Sequence, residues 1–90
     1  ICLKQNYPNP FNPSTTITYS LPEAGEVELL IYDLQGRMVD KLFSGPQSAG
    51  THDILWNGVN QNGFPISSGV YLCKLLAGEY IKTIKMVYLR

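Results

Sequence analysis

Glycine and proline interrupt this chain about every ten residues, and the segments between them alternate polar with apolar side chains or run apolar over five to ten positions. No segment keeps a helical period, so no helix has an amphipathic face to bury. The strands expected are Thr15 to Leu21, Glu26 to Leu34, Arg37 to Ser44, Thr51 to Trp56, Gly69 to Leu76 and Glu79 to Leu89, with a short extended piece near Phe64 to Ile66. Six or seven such strands predict an all-β fold, an antiparallel sandwich of two small sheets.

The alternation also assigns faces. Ile17, Tyr19 and Leu21 share one side of the first strand; Val27, Leu29 and Ile31 share one side of the second, opposite Glu26, Glu28 and Tyr32. Asp33-Leu34-Gln35-Gly36-Arg37 supplies a tight turn in which Gly36 can take φ > 0, and Val39 and Leu42 return the chain to the core. Ser44 to Gly50 has the composition of a loop. After it His52, Ile54 and Trp56 alternate against Thr51, Asp53 and Leu55, which makes Trp56 the first choice for core anchor. Asn57 to Ser68 is nearly all small and polar, and its length suggests a crossover between sheets. Ala77-Gly78 then joins the last two strands in a hairpin, leaving the C-terminal strand at an edge.

The start of the chain reads differently. Asn6-Tyr7-Pro8-Asn9-Pro10-Phe11-Asn12-Pro13 interleaves three prolines with asparagines and aromatics. Proline fixes φ near −65° and drives the residue before it out of the helical region, so this stretch is a rigid lead-in to the Thr15 strand. With no initiator methionine and no apolar leader, residues 1–14 are expected to continue from a longer upstream protein.

The totals exclude several classes of function. Ninety residues make a single domain, and a chain of that size buries only about 60 to 65% of its unfolded surface. Seven basic side chains balance seven acidic ones, which argues against nucleic acid or an anionic membrane as partner. No apolar run approaches the roughly 20 residues of a membrane span, so a soluble module is expected. Cys2 and Cys73 either pair in an oxidising compartment or stay apart, with Cys73 a small buried hydrophobe between Tyr71 and Leu75; the second reading is preferred.

Catalytic motifs are equally sparse. His52 is the one histidine and sits in a core-like pattern, without a nucleophile elbow or a phosphate loop. Asn60-Gln61-Asn62-Gly63 echoes the middle of a calcium loop, but Gly58 stands where the first carboxylate belongs and no glutamate closes the loop, so an Asn/Gly turn is expected. Two cysteines and one histidine fall short of a zinc site. Glu23, Glu26, Glu28 and Asp33 read as solvated strand and turn residues rather than a glycosidase pair. Tyr7, Phe11, Tyr32, Phe43, Phe64 and Tyr80 are candidates for surface aromatics that a sugar could stack on, although each is more simply a packing residue. No enzyme, metal or cofactor is expected.

Four blocks in order resemble the type A C-terminal sorting domain of the type IX secretion system: the Asn6 to Pro13 opening with Thr16-Ile17, the Val27 to Val39 block with Tyr32-Asp33 and Gly36-Arg37, the Gly69-Val70-Tyr71 block, and the closing Lys82-Thr83-Ile84-Lys85-Met86-Val87. The stretch His52 to Leu75, with Trp56-Asn57-Gly58, Asn62-Gly63 and Ser68-Gly69-Val70-Tyr71, is also similar to the Ig-like domain of flagellar hook-capping proteins. Both resemblances imply an Ig-like β-sandwich. Arg90 stands where the sorting family often ends in lysine.

The sorting resemblance implies a non-catalytic secretion address. Such a domain trails a cargo protein, folds in the periplasm, is recognised by the type IX machinery, and is often removed by a sortase-like peptidase as cargo reaches the surface or medium of a Bacteroidetes cell. Carried over by position, the recognition residues are Gly69, Tyr71, Lys82, Lys85, Met86 and Val87, while Pro8, Asn9, Pro10, Phe11, Gly36 and Trp56 are structural. The competing readings are a carbohydrate-associated accessory module of an extracellular glycosidase and an Ig-like spacer.

Overall fold

The computed structural model describes residues 1–90 and contains seven strands: β1 (Cys2–Leu3), β2 (Thr15–Leu21), β3 (Gly25–Asp33), β4 (Met38–Gln47), β5 (Gly50–Trp56), β6 (Gly69–Ala77) and β7 (Tyr80–Tyr88). They form two antiparallel sheets, β1-β2-β5 and β4-β3-β6-β7, packed as an Ig-like sandwich. The chain changes sheet at Pro22–Ala24, at Ser48–Ala49 and across residues 57–68. The last of these is the crossover that its length and composition imply.

Side-chain alternation builds the core as read. Ile17, Tyr19, Leu21 and Trp56 from the small sheet face Val27, Leu29, Ile31, Tyr71, Cys73, Leu75, Ala77, Ile84, Met86 and Tyr88 from the large one. Each large apolar side chain so buried contributes about 1.5–3 kcal/mol. Trp56 is 1% exposed and its indole N–H donates to the Val59 carbonyl at 3.0 Å, so the ring is buried without an orphaned donor. Val39 and Leu42 are half-buried against this core.

Two segments depart from expectation. Ser44 to Gly50 is not a loop, because β4 runs on to Gln47 and only Ser48 and Ala49 lie between strands. β4 is the outermost strand of its sheet, with one side unpaired, and there Gly45 and Pro46 are tolerated as they would not be in a central strand. Two register shifts against β3 bend it further from a regular edge. Phe11, a candidate surface aromatic, is instead 2% exposed.

That burial shows how the lead-in docks. The Phe11 ring lies 5.6 Å from Trp56 and 5.2 Å from Tyr88, and Trp56 meets Tyr71 edge-on at 5.9 Å. These four rings close one end of the sandwich, and each such pair adds about 0.5–1.5 kcal/mol beyond area burial. Upstream, Tyr7 exchanges both backbone bonds with Thr16, and the buried Asn6 donates to Thr15 Oγ1 (3.0 Å) and to the Pro8 carbonyl (3.3 Å) while accepting from Gln5 (2.7 Å). Gly58, at φ +68°, lies so close that a Cβ there would stand 2.9 Å from the Pro13 carbonyl oxygen. The prolines stiffen the lead-in; Asn6, Phe11 and Gly58 fix where it goes.

Phe11→Ala should therefore lower the free energy of unfolding by about 3–5 kcal/mol, in the range expected for Trp56→Ala. Urea denaturation of both variants checks this; a parental midpoint for Phe11→Ala would show that the lead-in lies outside the cooperative core.

Candidate functional site

β7 brings the C-terminal block to the margin of the large sheet. Its even positions Ile84, Met86 and Tyr88 point into the core, and Ile81, Thr83 and Lys85 are exposed on the other face. Lys82 shares the inward parity and lies opposite the buried Leu75, yet it is exposed. Neither Lys82 nor Lys85 has an acidic partner, for the two ion pairs of the molecule are Arg37–Asp33 and Lys41–Glu28.

The free edge of β7 is half covered. Strand β6 takes the backbone groups on one side; on the other, the Gln5 side chain donates to the Lys85 carbonyl (2.7 Å) and Val87 N–H donates to Asn9 Oδ1 (2.9 Å). Phe11 N–H donates to the Val87 carbonyl (2.9 Å), and Leu89 N–H to the Phe11 carbonyl (3.1 Å). The outward groups therefore fall on odd positions, and the lead-in caps them from Lys85 to Leu89 as a partial parallel strand. Ile81 and Thr83 keep both outward groups unpaired.

The other expected recognition residues sit elsewhere. Met86 is fully buried and Tyr71 is buried with its hydroxyl donating to the Ser67 carbonyl at 2.7 Å. Val87 is half-buried opposite Val70. Gly69 and Tyr71 line an open polar cleft of about 550 Å³ at one end of the sandwich, with Asp33, Arg37, Asn60 and Asn62 on its other walls. Pro8, Asn9 and Pro10 lie on the exposed outer side of the lead-in. Gly36, at φ +84°, closes the β3–β4 turn. Gln5 and Asn9 are the edge-capping residues; Gln5 carries no local signal, since its partner is 80 positions away.

In that cleft Asp33 accepts from the backbone N–H groups of Gln35 (3.0 Å) and Arg37 (2.9 Å) and from Arg37 Nε (2.9 Å). The Arg37 backbone bond foremost, with the guanidinium and the Gln35 N–H, holds its carboxyl below the ordinary 3.8. Asn60 Oδ1 is occupied by the Asn62 and Phe64 N–H groups, the Asx turn expected of this segment. His52 Nε2 lies 2.8 Å from the Ser48 carbonyl and its ring packs 5.4 Å from Tyr19, a sheet-bracing role. Of the aromatics proposed for a sugar platform, Tyr7 and Phe64 are exposed on separate loops. Phe43 and Tyr80 pack against the core, and Tyr32 lies under Lys74 Nζ at 5.2 Å. Cys2 is exposed and Cys73 buried, both free, and burial pushes the Cys73 thiol up to about 12.

The model of the FlgD Ig-like domain family matches residues 11–85. The chain belongs to this family. It is also similar to PorZ, an essential surface component of the type IX secretion system of Porphyromonas gingivalis, with 25% identity and a TM-score of 0.65. That similarity covers 96% of this chain but 11% of PorZ. No curated protein sequence matches the chain significantly. Membership bears out the similarity read from His52 to Leu75.

Two measurements follow from this chemistry. Because the Asp33 pKa is depressed by folding, its contribution to stability is complete above the unfolded carboxylate value near 3.8 and is lost as pH falls through the lower folded value. The urea midpoint of Asp33→Asn should thus fall less steeply than that of the parent in this acid window; parallel curves would refute the assignment. A thiol reagent at neutral pH should titrate Cys2 alone in the folded protein and Cys73 only in denaturant.

Proposed function

We propose that this domain is a non-catalytic C-terminal address that directs an upstream cargo protein through the type IX secretion system to the cell surface or medium. The observation that carries the reading is the similarity to PorZ across 96% of the chain, a protein whose system is type IX secretion. The four sequence blocks add to it: the opening, Gly69 and closing blocks meet at the last strand, while the Val27 to Val39 block forms β3 and its turn on the far side of β6. The type IX machinery and a sortase-like peptidase are the proposed partners, and the outer surface of a Bacteroidetes cell, reached through the periplasm, is the proposed destination.

Recognition is assigned to the exposed side chains of β7, above all Lys82 and Lys85, with Gly69 at the rim of the polar cleft. Tyr71, Met86 and Val87 act through packing: they hold β6 and β7 in register, and the buried two are not accessible to a partner. Family membership favours an Ig-like assembly or spacer module as the second reading. The sugar-binding reading has little support, because its aromatics are scattered or buried.

The test is secretion of a folded reporter fused upstream of residues 1–90, given a periplasmic signal, in a type IX-competent bacterium and its secretion-null mutant. Export in the competent strain alone is expected, and retention in both strains would refute the sorting role in favour of the spacer. Deleting Lys82 to Arg90 would remove Ile84, Met86 and Tyr88 from the core and unfold the domain, so the sharper variant is Lys82→Ala with Lys85→Ala. It should reduce export severalfold while melting like the parent.

A further inference from the structure

We propose that the uncapped half of the β7 edge, Ile81 to Thr83, is a docking site for an extended, acid-bearing segment of a partner protein, which adds to the large sheet as a short fifth strand. The inference rests on the sorting reading for its biological setting, but its physical basis is independent of it. The outward N–H and C=O of Ile81 and Thr83 have no partner, whereas Val87 on the same edge is bonded through both groups and Lys85 and Leu89 through one each. An edge closed so fully at one end and left open at the other is a template with a defined length.

The side chains around the opening specify the occupant. Ile81 is 60% exposed and lies opposite Leu76 in the β6–β7 register, so it prolongs an apolar row to the margin of the sheet. Lys82 is exposed beside it and unpaired. A strand laid along this edge places its side chains in register with those of Ile81, Lys82 and Thr83. The complementary triplet is therefore an apolar residue, a carboxylate and a β-branched hydroxyl residue. A second copy of this chain joined symmetrically through β7 would set Lys82 against Lys82, the like-charge contact that keeps natural edges apart. The lead-in limits the docked segment: extending it beyond Lys85 would require the displacement of Gln5, Asn9 and Phe11.

The experiment titrates isotope-labelled protein, residues 1–90, with the peptide acetyl-Thr-Val-Glu-Thr-Val-amide and with its Lys-for-Glu counterpart, following amide resonances. Expected at millimolar peptide are shifts at Ile81, Thr83 and Lys85, little change at Ile84 and Met86, and weaker binding of the lysine peptide by up to about fivefold per charge pair. Thr83→Pro should abolish the shifts yet fold normally, because the N–H it removes points away from β6. Lys82→Glu should invert the peptide preference. No shifts, equal shifts with Thr83→Pro, or concentration-dependent self-association through the same amides without peptide would each overturn the proposal. Parental export of the reporter by Thr83→Pro would also overturn it as the recognition mode while leaving the sorting role intact; export independent of the secretion system would defeat the sorting role and leave the titration to decide the edge.

Discussion

Phe11 is the contact on which the rest of this domain depends. A sandwich of this size has little core to spare, and its smaller sheet offers the interior only six side chains of bulk, three of them from β2. Phe11 adds a ring from outside either sheet, wedged against Trp56 at the end of β5 and Tyr88 at the end of β7. Those strands belong to different sheets, so one side chain ties the sandwich together at its open end. The backbone exchange of Phe11 with Val87 and Leu89 makes the same tie through hydrogen bonds.

That tie also explains how the domain handles its edges. A β-sandwich that is not closed into a barrel leaves unpaired strands, each a template for unwanted pairing. Here β4 is bent by register shifts and carries Pro46, and the C-terminal half of β7 is covered by the lead-in. The short stretch of β7 that remains open carries Lys82. The segment that completes the core is thus the one that masks the edge, and packing and protection have a common origin in residues 5–11.

Much of this architecture was legible because alternation is a local signal. β2 runs over the expected Thr15 to Leu21, and β5, β6 and β7 begin and end within about one residue of the pattern, since each has one face in the core. β4 misleads because Gly45 and Pro46 are loop residues in general but harmless on an edge. β1 is two residues long and has no period to read. Phe11 and Gln5 were opaque for another reason: their partners lie more than forty positions away, and no local pattern encodes such a contact. At the site, parity alone would turn Lys82 inward with Ile84 and Met86, yet Lys82 is exposed.

The same geometry limits what a partner can read. Along β7 the residues alternate between core and surface, so the strand that bears Lys82 and Lys85 is also a wall of the hydrophobic interior through Ile84, Met86 and Tyr88. An unfolded chain would present the same lysines but neither their fixed spacing nor an edge bounded by the lead-in. Because Phe11 must be seated before Val87 and Leu89 are capped, the length of open edge is itself a report on whether the domain is folded. A receptor that measures this edge would distinguish folded domains from unfolded ones without contacting the core.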